Sequence, residues 1–263
     1  MRLSHFFLML MMMFLCYSNA EAQSNKVILA IFAHPDDESI VSPVLAKYAA
    51  AGATVYLVVA TDGRYGSNDH AKIPEGDTLA GVREKEIACA AQSLGVKPPI
   101  LLGAHDQMKA QEGFDANQAQ FDLIRNKVSE LFTTLKPDVV ITWGPSGWTS
   151  HSDHRLVGAI VTEVFQTKVW GRPSNIFYPE LATGTVANSP FPVATADSAF
   201  LPVRIPLSTA DYDKAAASLR CHKSQYTQEQ FESLGKLAWE SRKGVIYFRP
   251  FIQKKKYQTS LFD

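Results

Sequence analysis

Two apolar runs bracket a short helical stretch near the start of the chain, and this pattern restricts the fold more than any other feature of the sequence. Residues 27–33 are near-continuously apolar and rich in β-branched side chains, as befits a strand buried on both faces of a parallel sheet. Residues 40–51 then carry Ile40, Val44, Leu45 and Tyr48 at helical spacing and stop at Gly52, a natural helix terminator. Residues 54–60 form a second buried run. Strand, helix and strand within about 35 residues predict a right-handed βαβ unit.

The alternation continues with a helix over about 78–94 closed by Gly95, a strand at 100–102, a helix over roughly 117–135, a strand at 139–143 and a helix over about 154–168. Two polar loops, 62–77 and 144–150, interrupt it. The final third is less regular. A strand at 176–178 leads into a Pro-, Thr- and Ala-rich segment reaching Ala199, followed by a strand at 201–205 and a helix over 210–221. A last strand at 244–248 is expected at a sheet edge, because Pro250 cannot donate to a ladder. The class is therefore α/β with a mostly parallel sheet.

Residues 1–22 read as a secretory signal, with Arg2, an apolar run from Phe6 to Tyr17 and the small-x-small site Ala20-Glu21-Ala22. The run is shorter than the roughly 18 residues a spanning helix needs, so export without a retained anchor is expected, and 23–263 form one domain. The 26 basic and 26 acidic residues cancel, which argues against a nucleic-acid partner, and the lysines at 254–256 read as a solvated tail. A small-molecule or oligosaccharide substrate fits this balance better, while the oligomeric state is left open. Export would allow Cys89 and Cys221 to pair. The alanines at 88, 90 and 91 argue equally for Cys89 as a buried, unpaired thiol. No C-x-x-C occurs, so a thiolate metal site is disfavoured.

Ligands of open parallel sheets bind at the carboxyl ends of strands, and the most polar clusters fall there. His34-Pro35-Asp36-Asp37-Glu38 follows the first strand, and His151-Ser152-Asp153-His154 lies a few residues beyond the strand ending at Trp143. A catalytic zinc takes three protein ligands and keeps a position for water. His34 and Asp37, across a turn fixed by Pro35, can supply two, and His154 at a helix start the third. Hydrolysis also needs a base for the water and a proton for the leaving amine; Asp36 and His151 are the candidates, with Asp153 placed to orient His151. Each cluster alone is also ordinary turn and N-cap chemistry. Their joint position at two strand ends favours a site.

These strings carry a family resemblance. Ala33 to Glu38 (AHPDDE) with the downstream His151-Ser-Asp-His154 resembles the PIG-L/LmbE-like deacetylases, which remove acetyl groups from N-acetylglucosamine-type substrates. Thr61-Asp62-Gly63, Arg83 with Glu86, and His222-Lys-Ser-Gln225 extend the likeness over most of the chain after residue 22. The resemblance implies a Rossmann-like three-layer fold, zinc on His34, Asp37 and His154, Asp36 as general base, and His151 as the group that stabilises the oxyanion or protonates the amine. Iron(II) accepts the same ligands.

Three further residues are candidate substrate contacts. Arg83 could reach a sugar hydroxyl or an anionic group, its alternative being a surface ion pair with Glu86. Trp148 could stack on a sugar ring, whereas Trp143 reads as core. His222 stands at a helix end, where a cation would be favoured in any case. The expected activity is zinc-dependent hydrolysis of a linear amide, releasing acetate from an amino sugar. The rivals are an amidase acting on another N-acyl group, such as a thiol conjugate or an antibiotic, and a sugar-binding protein whose metal does no chemistry.

Overall fold

The computed structural model describes residues 23–185, 193–233, 244–253 and 257–263. The signal-like segment 1–22, the lysines at 254–256 and part of the 179–199 stretch lie outside these residues.

Strand β1 (Val27–Phe32) is buried at every position after Val27. It pairs in parallel with β2 (Thr54–Thr61) on one side and β4 (Val139–Ile141) on the other. β3 (Ile100–Ala104) adds beyond β2, and β5 (Asn175–Ala182) beyond β4, both parallel. The sheet runs β3-β2-β1-β4-β5-β8-β7, where β7 is Val203–Pro206 and β8 is Val245–Pro250; a two-residue β6 (Thr195–Ala196) pairs with β5 off this path. Among the described strands only β8 runs opposite to the rest. The α/β, mostly parallel expectation is met.

The crossovers decide the layers. Helices α1 (Ser42–Ala50) and α2 (Asp77–Leu94) connect strands running outward from β1 to β3, whereas α3 (Phe114–Leu135) and α4 (Ser152–Gln166) carry the chain the other way, to β4 and β5. Right-handed crossovers in opposite directions place these pairs on opposite faces. Helix α5 (Thr209–Leu219) packs with α1 and α2, and α3 packs with α4. Between β1 and β4 the strand order reverses, and the crevice beyond the carboxyl ends of such a pair is where ligands of open sheets bind. Both polar clusters open there. Among the described residues no helix is long and apolar enough to cross a membrane.

Three expectations are corrected. The last strand is not an edge, because β8 lies between β5 and β7. The N–H of Phe251 donates to the Ile176 carbonyl, so the preceding Pro250 turns its nitrogen away from β5. On that other side β7 begins only at Val203, opposite Phe248, and the missing donor is not needed. The strand expected at 176–178 continues to Ala182, since Pro179 likewise has its nitrogen toward β4, whose ladder ends at Phe177. Cys89 is exposed and bonded to Cys221; two cysteines 132 residues apart meet because α5 docks on α2.

Candidate metal centre and active site

The turn after β1 is built around Asp37. One carboxylate oxygen, Oδ2, accepts the N–H groups of Ala33 (3.0 Å) and His34 (2.8 Å) and the indole N–H of Trp143 (3.2 Å). The carboxylate is thereby folded back onto the end of its own strand, and the turn accommodates this with Asp36 at φ 120°, a conformation a non-glycine residue adopts only under local constraint. The other oxygen, Oδ1, lies 3.1 Å from Nε2 of His154.

The two imidazoles are oriented by what holds their far nitrogens. His154 Nδ1 is 2.9 Å from the Gly147 carbonyl, which fixes a proton there and leaves a lone pair on Nε2. Nε2 of His34 faces Asp153 (3.2 Å) and Asp106 (3.3 Å), which likewise leaves the lone pair on Nδ1. His34 Nδ1 and His154 Nε2 then point at each other across 3.2 Å, with Asp37 Oδ1 3.1 Å from His154 and Asp37 Oδ2 3.6 Å from His34. Three acceptors converging in this way repel unless a positive charge, a proton on His34 or a metal ion in its place, lies among them. Ligands about 2.1 Å from a tetrahedral ion stand about 3.4 Å apart, so these three residues fit a zinc or iron(II) ion. Trp143 also stacks on His154, with ring centres 4.1 Å apart and planes within 3°; read from sequence as core, it is both core and support of the site.

Electrostatics agree with this assignment. Burial, the largest single influence on His34, lowers its pKa, but Asp37, Asp153 and Asp106 together overcome it and raise His34 to about 10. That is a strong local preference for positive charge. Burial likewise opposes ionisation of Asp37, and the two imidazoles still hold it well below the carboxylate range. Among the described residues two other groupings meet at His34: His151 lies within ligand reach of His34 and His154, and a set of His34 with Asp106 and Asp153 is already satisfied by protein. Asp106 accepts the Thr61 hydroxyl and the Tyr65 N–H, each at 2.9 Å, and Asp153 the Gln107 N–H at 2.8 Å.

Asp36 and His151 flank the socket in a cavity of about 330 Å³ that Trp148, Arg83, Gln225 and Tyr226 also line. Arg83, nearly fully buried, donates to Asp36 Oδ1 (2.9 Å) and to the Gly63 and Pro35 carbonyls. It makes no surface pair with Glu86, whose carboxylate binds Ser224 instead. Tyr226 donates to Asp36 Oδ2 at 3.2 Å. Burial raises the Asp36 pKa, against the pull of Arg83. Burial, reinforced by His34 and His154, lowers that of His151.

Two site expectations fail. Asp153 does not orient His151; its carboxylate serves His34, and it is the Asp153 backbone N–H that donates to His151 Nδ1 at 3.2 Å. His151 is thus the N-cap of α4, and its proton is left on Nε2. His222 is not a substrate contact. It is fully buried and bound to Glu38 at 2.8 Å, away from the cavity. Sequence reasoning also passed over Asp106 and Tyr226. Asp106 follows β3 on the same rim and could have been found by the strand-end rule; Tyr226 had no signal beyond its place after His222-Lys-Ser-Gln225.

The model of the PIG-L GlcNAc-PI de-N-acetylase family matches residues 29–165, which include all three socket residues with Asp36 and His151. The chain belongs to the PIG-L family. A 1D-myo-inositol 2-acetamido-2-deoxy-alpha-D-glucopyranoside deacetylase of Saccharomonospora viridis is 30% identical over 231 residues, covering 76% of this chain and 85% of that one. A protein of the same description from Rhodococcus opacus is 34% identical over 154 residues, 53% of each chain. Among solved structures, N,N'-diacetylchitobiose deacetylase of Pyrococcus horikoshii superposes with a TM-score of 0.63 at 21% identity, covering 86% of this chain and 84% of its own. The last likeness speaks to the fold alone. It agrees with the α/β architecture and mostly parallel sheet of this chain.

Proposed function

We propose that the protein is a zinc-dependent deacetylase that hydrolyses the N-acetyl group of an N-acetylglucosamine-type glycoconjugate. The observation that carries this reading is the convergence of three lone pairs, from His34, Asp37 and His154, beside one carboxylate and one neutral imidazole. A zinc ion held there would supply a Lewis acid for the acetyl carbonyl and lower the pKa of a bound water to near 7; iron(II) would serve in the same socket.

The remaining work falls to the chain. Asp36, raised by burial and held by Arg83 and Tyr226, accepts the proton of the attacking water. His151, neutral and with its proton on Nε2, donates toward the carbonyl oxygen as negative charge develops there and can pass a proton to the departing amine. Trp148, half-buried on the cavity wall, offers a face to a sugar ring. Relatives that act on acetylated glucosamine compounds support the choice of substrate.

Export is supported by residues 1–22 and by the Cys89–Cys221 bond, since such bonds persist in oxidising compartments. The test is acetate release by purified enzyme from N-acetylglucosaminyl compounds, before and after chelation and on zinc replacement. Asp36→Asn should lower kcat by about 10² or more at unchanged zinc content. Turnover that survives either chelation or Asp36→Asn refutes the mechanism, and release of an acyl group other than acetate from a broad amide panel would move the substrate to another N-acyl class.

A further inference from the structure

Residues 221–226 cross from the end of α5 to the cavity and are tied down at almost every step. The Cys221 sulfur is bonded to Cys89 on α2. His222 Nε2 binds Glu38, and both the N–H and the hydroxyl of Ser224 donate to Glu86 (2.7 and 2.6 Å). Gln225 donates to the Gly66 carbonyl at 3.0 Å and accepts from Asn68, and Tyr226 ends on Asp36. At three-residue intervals along α2, Arg83, Glu86 and Cys89 thus address Asp36, Ser224 and Cys221 in turn. One helix serves both the base and the segment that carries its second partner.

We propose that the Cys89–Cys221 disulfide is a positioning element of the active site: it pins the 221–226 strap to α2, keeps Gln225 and Tyr226 on the cavity wall, and makes turnover depend on the bond being oxidised. The other anchors are hydrogen bonds, each of which has water as an alternative partner and a net worth of only about 0.5 to 3 kcal/mol. The disulfide alone is covalent, and without it the strap beyond the packing of α5 on α1 and α2 is held by those hydrogen bonds. Cys89 is exposed at the surface, open to a small dithiol. Such a reagent would supply two electrons and two protons, converting the disulfide to two thiols while closing to its own disulfide.

This inference rests on the deacetylase reading for its kinetic half, so the test pairs kinetics with a measurement that needs no turnover. The zinc-loaded enzyme is compared in oxidised form, after dithiothreitol, and as the Cys89→Ser/Cys221→Ser variant. Hydrogen exchange should speed up at the amides of Ser224 and Tyr226 when the bond is absent, with β1 and α4 still protected and zinc content unchanged. KM for an N-acetylglucosaminyl substrate should rise about tenfold, more than kcat falls. In a Gln225→Ala/Tyr226→Phe background reduction should add little, because the bond acts through those two side chains. Unchanged exchange in the strap, or kinetic losses fully additive with that background, would overturn the proposal. If the oxidised enzyme releases no acetate, the functional reading fails, and exchange alone still decides whether the bond holds the strap.

Discussion

Gly158 sits where α4 crosses the backbone of Trp143, just beyond β4, one helical turn after His154. A methyl group built on it would strike the carbonyl oxygen of Trp143 and lie 2.9 Å from that carbonyl's carbon and 3.1 Å from the Trp143 Cβ. None of these atoms is the free end of a side chain, so Gly158→Ala must lift the helix by about 1 Å or distort the backbone after β4. Alanine's better helix propensity returns about 1 kcal/mol, whereas overpacking of this kind typically costs about 1 to 3 kcal/mol and at backbone contacts more. A net loss of about 1 to 2 kcal/mol is expected. The functional loss should be larger in proportion. A metal ligand tolerates displacements of only about 0.2 Å, and Trp143, against which the helix would be pushed, both stacks on His154 and donates to Asp37. Zinc affinity should therefore fall by about 10- to 100-fold, as it does when the groups supporting a metal ligand are disturbed. Gly81, on α2 with nothing within 4 Å of its own built methyl, is the control, and Gly81→Ala should stabilise by about 0.5 to 1 kcal/mol. Urea unfolding and competitive zinc titration of both variants decide the matter. A Gly158→Ala protein as stable as Gly81→Ala, or one that retains its zinc affinity, would refute the argument.

Asp153→Ala should weaken zinc binding by about 10- to 100-fold through His34 while leaving the cap made by His151 in place, read by zinc competition and by the pH dependence of residual activity. The metal-free protein should lose stability as pH rises from 6.5 to about 10. His34 is raised above its ordinary value of 6.5 in the fold, so its contribution is complete below 6.5 and vanishes through about 10; urea midpoints of chelated protein across that window should fall, and His34→Asn should flatten the trend. Reduction of Cys89–Cys221, which closes a loop of 132 residues, should cost up to about 5 kcal/mol on chain-entropy grounds, visible as a lower urea midpoint in dithiothreitol.

The parts of this structure legible in the sequence are those whose causes are local. Residues 27–33 had to be a doubly buried strand because no polar residue interrupts them, and Gly95, at φ 74°, closes α2 where the pattern placed the stop. His34, Asp36, Asp37, His151 and His154 were legible because strand ends of a parallel sheet are where chemistry collects. What escaped were relations across the chain. Asp153 precedes His154 by one helical step of about 100°, which turns it from the socket toward the back of His34, a residue 119 positions away; sequence proximity to His151 gave no hint of that. Arg83 read as a site residue, with an i,i+3 pair to Glu86 as its alternative, but nothing local marked its partner there, Asp36, 47 positions away. Pro250 suggested an edge because the rule for proline concerns one side of a strand, and only the register shows which side is empty.

That register also bears on the order in which the molecule can be completed. The two strands that β8 joins, β5 and β7, are both synthesised before it, so a growing chain presents two facing rows of unpaired backbone groups until the C-terminal strand arrives. Such edges are templates for pairing with the wrong chain. An extension that delays insertion of residues 245–250 would therefore show itself as lost soluble yield, even where the metal socket, assembled from residues 34 to 154, is intact.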